Sequence, residues 1–172
     1  AVLGASGEIY QGANFEFTRY ADHAEQVAIN QAIANGEKSI DAVATFVAPR
    51  GPVQEKHFHG NSCPCGNCRQ ALFEVNPNMT TVMFDGPNDV KGYLLSDMLP
   101  AAYKRQWPEA GEPPMVEQHA DPLVQQALVA RSRSLAVRSG YPEGAAVETE
   151  SGQIYKGVKV EFNELEKMIE AL

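Results

Sequence analysis

The sequence predicts an α/β fold, a mixed β-sheet covered by helices. Strand-type segments alternate with helix-type segments through residues 1–104, the pattern of a sheet with helices packed on it. The run IDAVATFVA (40–48) carries no charge after Asp41 and reads as a buried central strand. The chain also repeats itself. SGEIYQGANFEF (6–17) returns as SGQIYKGVKVEF (151–162), 145 residues later and identical at seven of twelve positions. The repeat predicts two copies of one unit, the second cut short.

Residues 1–17 read as a β-hairpin, with GASGE as the turn and Ile9, Tyr10, Phe15 and Phe17 as strand-type side chains. In the next segment Ala24, Val27, Ala28, Ala32 and Ile33 fall at helical spacing. Asp22 is placed to cap that helix and Gly36 to end it after Asn35. The Pro- and Gly-rich stretch PRGPVQEKHFHGNSCPCG reads as a loop. CRQALFEV then reads as a helix, MTTVMFDG as a strand, and VKGYLLSDMLPAAY as a helix stopped near Pro100. Residues 105–122 read as a linker. LVQQALVARSRSLAVR (123–138), with Pro122 just before it, reads as the last clear helix. The predicted organisation is therefore a unit at 1–104, the linker, and a partial unit at 123–172.

With 172 residues and 44% hydrophobic content, the chain can bury one real core. The formal net charge is −8. Polynucleotide binders draw most of their affinity from basic patches, so this charge disfavours that class. No apolar run reaches the length of a bilayer span, which predicts no membrane association. The chain begins mid-strand and without Met, so further residues before Ala1 are expected. An odd cysteine count and no leader point to a reducing cytoplasm rather than a disulfide framework.

All three cysteines lie in NSCPCGNCRQ (61–70). Cys65-Gly66-Asn67-Cys68 is a Cys-x-x-Cys pair able to share one metal. The helix that follows places Cys68 near an N-terminus, where free N–H groups favour thiolate. Such a pair alone reads equally as a redox couple or half of a structural zinc site. His23, in DHAEQ, is the third ligand candidate, and Glu25 follows two residues later. In mid-helix two such positions diverge by about 200°, but in a first turn both can face one metal. His-Cys-Cys leaves a fourth position open, as catalytic zinc requires. A water held there becomes a nucleophile near neutral pH, and Glu25 is placed to move its proton. His-x-Glu followed by Pro-Cys-x-x-Cys is the signature of the zinc deaminases.

GANFEF, HAEQVAI, NGEKSIDAV, CPCGNCRQALFEV and LLSDMLPAAY resemble, in order and character, the cytidine deaminase family. The resemblance covers residues 1 to about 104 and is nearest the two-domain, dimeric branch with a His-Cys-Cys zinc. It implies a three-layer cytidine deaminase-like fold with the zinc at two helix N-termini. It implies His23, Cys65 and Cys68 as ligands of one Zn²⁺ per catalytic domain. Glu25 becomes the proton shuttle for attack at C4 of cytidine or 2′-deoxycytidine, an activity of pyrimidine salvage. Asn14 and Glu16 become the pair that binds the ribose hydroxyls, and Tyr103 the aromatic against the pyrimidine. Cys63 is left without a ligand role, because His23 takes the third place. ARSRSLAVRSGYPEGAAVETESGQIYKGVKVEF resembles the opening of a second, metal-free copy, in which Lys159 replaces the Asn. A small nucleoside substrate, a cytoplasmic homodimer and no membrane partner follow from the same resemblance.

Two other functions fit the residues. The loop RGPVQEKHFHGNS, with His57 and His59, is longer than the family carries, which leaves a modified cytosine nucleoside open as substrate. A catalytically silent, zinc-stabilised binding module is the other, although folding alone needs none of Glu25, Asn14 and Glu16.

Overall fold

The computed structural model describes residues 1–18, 21–48, 51–52, 54, 62–86, 88–102, 115–162 and 168–169. In chain order the elements are β1 (Val2–Gly4), β2 (Ile9–Tyr10), β3 (Phe15–Glu16), β4 (Ala21–Asp22), α1 (Ala24–Ala34), β5 (Ile40–Ala44) and α2 (Gly66–Val75). There follow β6 (Thr80–Gly86), β7 (Asp89–Leu94), α3 (Leu95–Met98), α4 (Pro122–Ser132), β8 (Gly144–Glu148), β9 (Ile154–Val158), β10 (Val160–Glu161) and β11 (Met168–Ile169).

Five strands form a mixed sheet in the order β2-β1-β5-β6-β7. Only β5 and β6 run parallel, with Val43 opposite Thr81. The crossover between them carries α2, as a parallel pair requires. Val2, Ile40 and Val43 are buried and face the helices. The predicted central strand is thus β5, and the sheet is mixed and covered by helices.

Helix α1 is buried nearly all round. Besides Ala28, Ile29, Ala32 and Ile33 it buries Glu25, Gln26 and Asn30. The reason is that α1 packs on β1, β2 and β5 on one side and on β9 on the other. Asn30 pairs with both backbone groups of Val158, and Gln31 Nε2 donates to Lys156 O at 3.0 Å. Buried amides here are matched to strand backbone, which avoids the cost of unpaired polar groups. Arg133 Nη1 adds a bond to Ala34 O at 2.7 Å, closing the C-terminal end of α1. Val158, Val160 and Phe162 therefore belong to the same core as Ile29 and Val43.

Two close approaches require glycine. A Cβ on Gly12 would lie 2.2 Å from Ala24 O and 2.5 Å from Ala28 N. Its absence lets the segment after β2 cross the first turn of α1. Gly144 plays the same part for α4, where a Cβ would meet Arg131 N at 2.1 Å.

The structure corrects four sequence readings. Residues 90–94 are strand β7, not helix, and only Leu95–Met98 is helical. Gly92 and the strand-forming Val90 and Tyr93 favour pairing with β6, where Val90 lies opposite Phe84 and Tyr93 opposite Thr81. Helix α4 ends at Ser132, because the next residues are drawn into pairing: Leu135 N donates to Lys159 O and Leu135 O accepts from Glu161 N. The opening hairpin stops at Tyr10, since β3 pairs with β4 instead. His23 rather than Asp22 is the N-cap of α1.

Glu161, in the repeat position of Glu16, is 1% exposed. Its Oε2 accepts from Arg138 N at 2.7 Å and Ser139 N at 3.0 Å, and Lys159 Nζ lies 3.8 Å from Oε1. Burial pushes this carboxyl up, but the Ser139 and Arg138 donors and the Lys159 charge outweigh it and leave it below the usual carboxylate range. A depressed pKa contributes stability above the unfolded value, lost as pH falls through the folded one. Urea unfolding should find Glu161→Gln about 1–2 kcal/mol less stable than the wild type at pH 7. The difference should shrink below about pH 4. A gap that is constant down to pH 3 would contradict a charged Glu161.

Candidate metal centre

Two helix N-termini converge on one point. His23 is the N-cap of α1 and Cys65 the N-cap of α2, both with extended backbone. Neither side chain caps its own helix. By contrast Asp121, at the start of α4, bonds Leu123 N at 2.8 Å and Val124 N at 3.1 Å. The two N-cap side chains are thus left for each other. Cys68, three residues into α2, is fully buried, and Cys65 is exposed.

His23 Nδ1 lies 3.4 Å from Cys65 Sγ and 3.3 Å from Cys68 Sγ. The three donor atoms all fall within 4.8 Å of one another. Among the described residues this is the one cluster of three such groups. Tetrahedral zinc, with bonds of about 2.0–2.1 Å to nitrogen and about 2.3 Å to sulfur, separates N and S by about 3.5 Å. The observed separations match that edge, and one imidazole with two thiolates is a donor set suited to zinc. Nδ1 faces the sulfurs, so the ligating tautomer carries its proton on Nε2.

Burial, with the Glu25 and Cys65 charges beside it, pushes the Cys68 thiol well up from its usual value. A cation in the cluster reverses that balance, because a coordinating thiol gives up its proton. Glu25, two residues after His23 in the first turn of α1, is 5% exposed and lies beside Cys68. It stands outside the three-ligand group.

Asn14, just before β3, and Glu16, within it, flank Phe15. Asn14 Nδ2 donates to Glu16 Oε1 at 3.2 Å, and both residues are exposed. β3 pairs with β4, Phe15 opposite Asp22 and Glu16 opposite Ala21. β4 ends at Asp22, directly before His23. His57, His59 and Tyr103 lie outside the described residues.

The sequence left Cys63 idle. Its Sγ in fact lies 2.6 Å from Arg69 Nη2. Nothing in the Cys-x-x-Cys spacing announces Arg69; only its place directly after Cys68 could have drawn attention to it.

A His-Cys-Cys cluster at two helix N-termini beside a mixed sheet is an arrangement suited to holding one zinc ion. Residues 1–84 match the family model of the cytidine and deoxycytidylate deaminase zinc-binding region. The chain is similar to the cytidine deaminase of Burkholderia pseudomallei, at 28% identity over 60% of this chain and 78% of that one, with a TM-score of 0.45. It is also similar to that of Mycobacterium leprae, at 27% identity over 58% and 75%, TM-score 0.42. For the Mycobacterium tuberculosis enzyme the values are 27% over 61% and 76%, TM-score 0.46. No helix among the described residues is long and apolar enough to cross a membrane.

Proposed function

We propose that the protein catalyses zinc-dependent hydrolytic deamination of cytidine and 2′-deoxycytidine, a step of pyrimidine salvage. The observation that carries this is the His23–Cys65–Cys68 cluster with Glu25 buried against it. Three ligands leave a fourth position for water, and a structural site would close it. Zinc held there supplies the Lewis acid that brings a bound water's pKa toward neutrality.

With zinc held by His23, Cys65 and Cys68, Glu25 would move a proton from the attacking water to N3 of the pyrimidine. The water oxygen would bond to C4, and Glu25 would carry that oxygen's second proton to the amino nitrogen as its bond to C4 breaks and ammonia leaves. Its burial keeps competing water from the carboxylate during both transfers. Asn14 and Glu16 hold the ribose hydroxyls: the amide offers a donor and an acceptor, and the carboxylate accepts. Tyr103 packs on the pyrimidine.

The repeat supports a two-unit organisation, with residues 1–104 as the catalytic domain, 105–122 as a linker and 123–172 as a truncated, metal-free second copy. On that reading the chain stands with the two-domain branch, a cytoplasmic homodimer with one zinc per catalytic domain. The inward-turned Glu161 supports the second copy's structural role, since its carboxylate is already taken by Arg138 and Ser139 N–H groups.

The deciding experiment is ultraviolet-monitored turnover of cytidine, deoxycytidine, cytosine and dCMP, with metal analysis of the same sample. Cytidine and deoxycytidine should turn over with about one zinc per chain; zinc-loaded protein inert to all four would overturn the reading. Removal of a charged hydrogen-bond acceptor for the sugar costs about 10–100-fold. Glu16→Gln should therefore lower kcat/KM for cytidine by about that factor. It should leave any slow turnover of free cytosine unchanged, and an equal loss on both would remove Glu16 from the sugar site.

A further inference from the structure

The geometry points to Arg69 as the residue that positions the zinc-binding loop. This rests on the metal centre proposed above, but not on the reaction assigned to it. Arg69 follows Cys68 in the first turns of α2, and its side chain folds back over the helix start. Nε donates to Pro64 O at 2.8 Å, Nη2 to Cys63 Sγ at 2.6 Å and Nη1 to Met98 O at 2.7 Å. One planar guanidinium thus spans two separate pieces of chain, the loop before Cys65 and the last residue of α3.

The two sulfurs need different support. Cys68 is fully buried within α2, and its position follows from the helix. Cys65 is exposed, sits in the N-cap position, and makes no capping bond of its own. Where its sulfur lies depends on the backbone at residues 63 and 64, which is the backbone Arg69 grips. The grip also satisfies a carbonyl at the end of α3 that helix bonding leaves open.

A cation near a helix N-terminus opposes the helix dipole. Arg69 is held there by three directed bonds, and its fixed fork is what reaches three acceptors at once. A lysine keeps the charge and loses the fork. Arg69 is thus a positioning residue: it sets the distance from Cys65 Sγ to His23 Nδ1 and touches no reacting atom.

The test compares wild type, Arg69→Gln and Arg69→Lys. Zinc affinity is read by chelator competition, and the cobalt(II)-loaded proteins by their visible absorption. Thermal melting of each metal-free protein reports folding. Loss of a partner that orients a ligand typically weakens metal affinity by about 10–100-fold, and Arg69→Gln should fall in that range. Its cobalt bands should move away from those of a tetrahedral site while the metal-free melting temperature holds. Arg69→Lys should lose nearly as much.

Zinc affinity of Arg69→Gln within about threefold of wild type would overturn the inference. So would Arg69→Lys at wild-type affinity, since charge alone would then suffice; this arm decides if Arg69→Gln does not fold. A wild type that binds zinc but leaves cytidine unchanged defeats the deaminase reading and leaves the Arg69 clasp standing. A wild type that turns over cytidine, with unaltered zinc affinity in both variants, defeats the clasp alone.

Discussion

Glu25→Gln should retain its zinc and lose about 10²–10⁴-fold in kcat, the range for removing a positioned general acid–base group. The substitution is nearly isosteric and keeps a hydrogen-bonding amide at a site that is 5% exposed, so folding should change little. What it removes is the ability to carry a proton. Glu25 stands outside the three-ligand group, and metal content should stay near one per chain. The check is kcat beside zinc analysis on one preparation. A zinc-loaded Glu25→Gln protein at wild-type rate would end the proton-shuttle assignment.

The second large effect is expected at Cys68. Cys68→Ala removes one of two sulfurs facing His23 Nδ1, leaving a nitrogen and a single thiol. Zinc content should drop to trace levels and turnover with it, while circular dichroism keeps its helical signal. Cys63→Ser is the matched control, because a serine hydroxyl can still accept from Arg69 and His23 already fills the third place. The control should keep its zinc. The reverse result, zinc lost in Cys63→Ser and kept in Cys68→Ala, would redraw the ligand set. Acid should act in the same direction as Cys68→Ala. Without metal the Cys68 thiol is held in its protonated form by burial and the nearby Glu25, so zinc has to displace that proton. Affinity should fall by about tenfold for each pH unit lowered per thiol deprotonated on binding.

What the sequence disclosed follows from how local each signal is. Cys65 and Cys68 share one helical turn, and their spacing alone brings the sulfurs together. His23 lies 42 residues before Cys65 and was reachable only through the joint His-x-Glu and Pro-Cys-x-x-Cys pattern. The central strand β5 was legible from the apolar run at 40–48, although the strand ends at Ala44 and Phe46 and Val47 beyond it are exposed. β7 was not, since Tyr93, Leu94 and Leu95 continue into a real helical turn and blur the border. The burial of Gln26 and Asn30 also left no trace in the hydrophobic pattern. The partner of Asn30 is the backbone of Val158 in β9, more than a hundred residues away, and no periodicity encodes a neighbour that distant.

That last contact has a consequence for the order in which a nascent chain can mature. Asn30 emerges 128 residues before Val158, the backbone it binds. At translation rates of 5–20 residues per second the gap is roughly 6–25 s. From the completion of β7 until β9 is made, the helix bearing His23 and Glu25 has its sheet but lacks its outer cover. The cysteine ligands are synthesised before the strand that covers the helix of their histidine partner. Metal capture can therefore precede closure of the fold over α1.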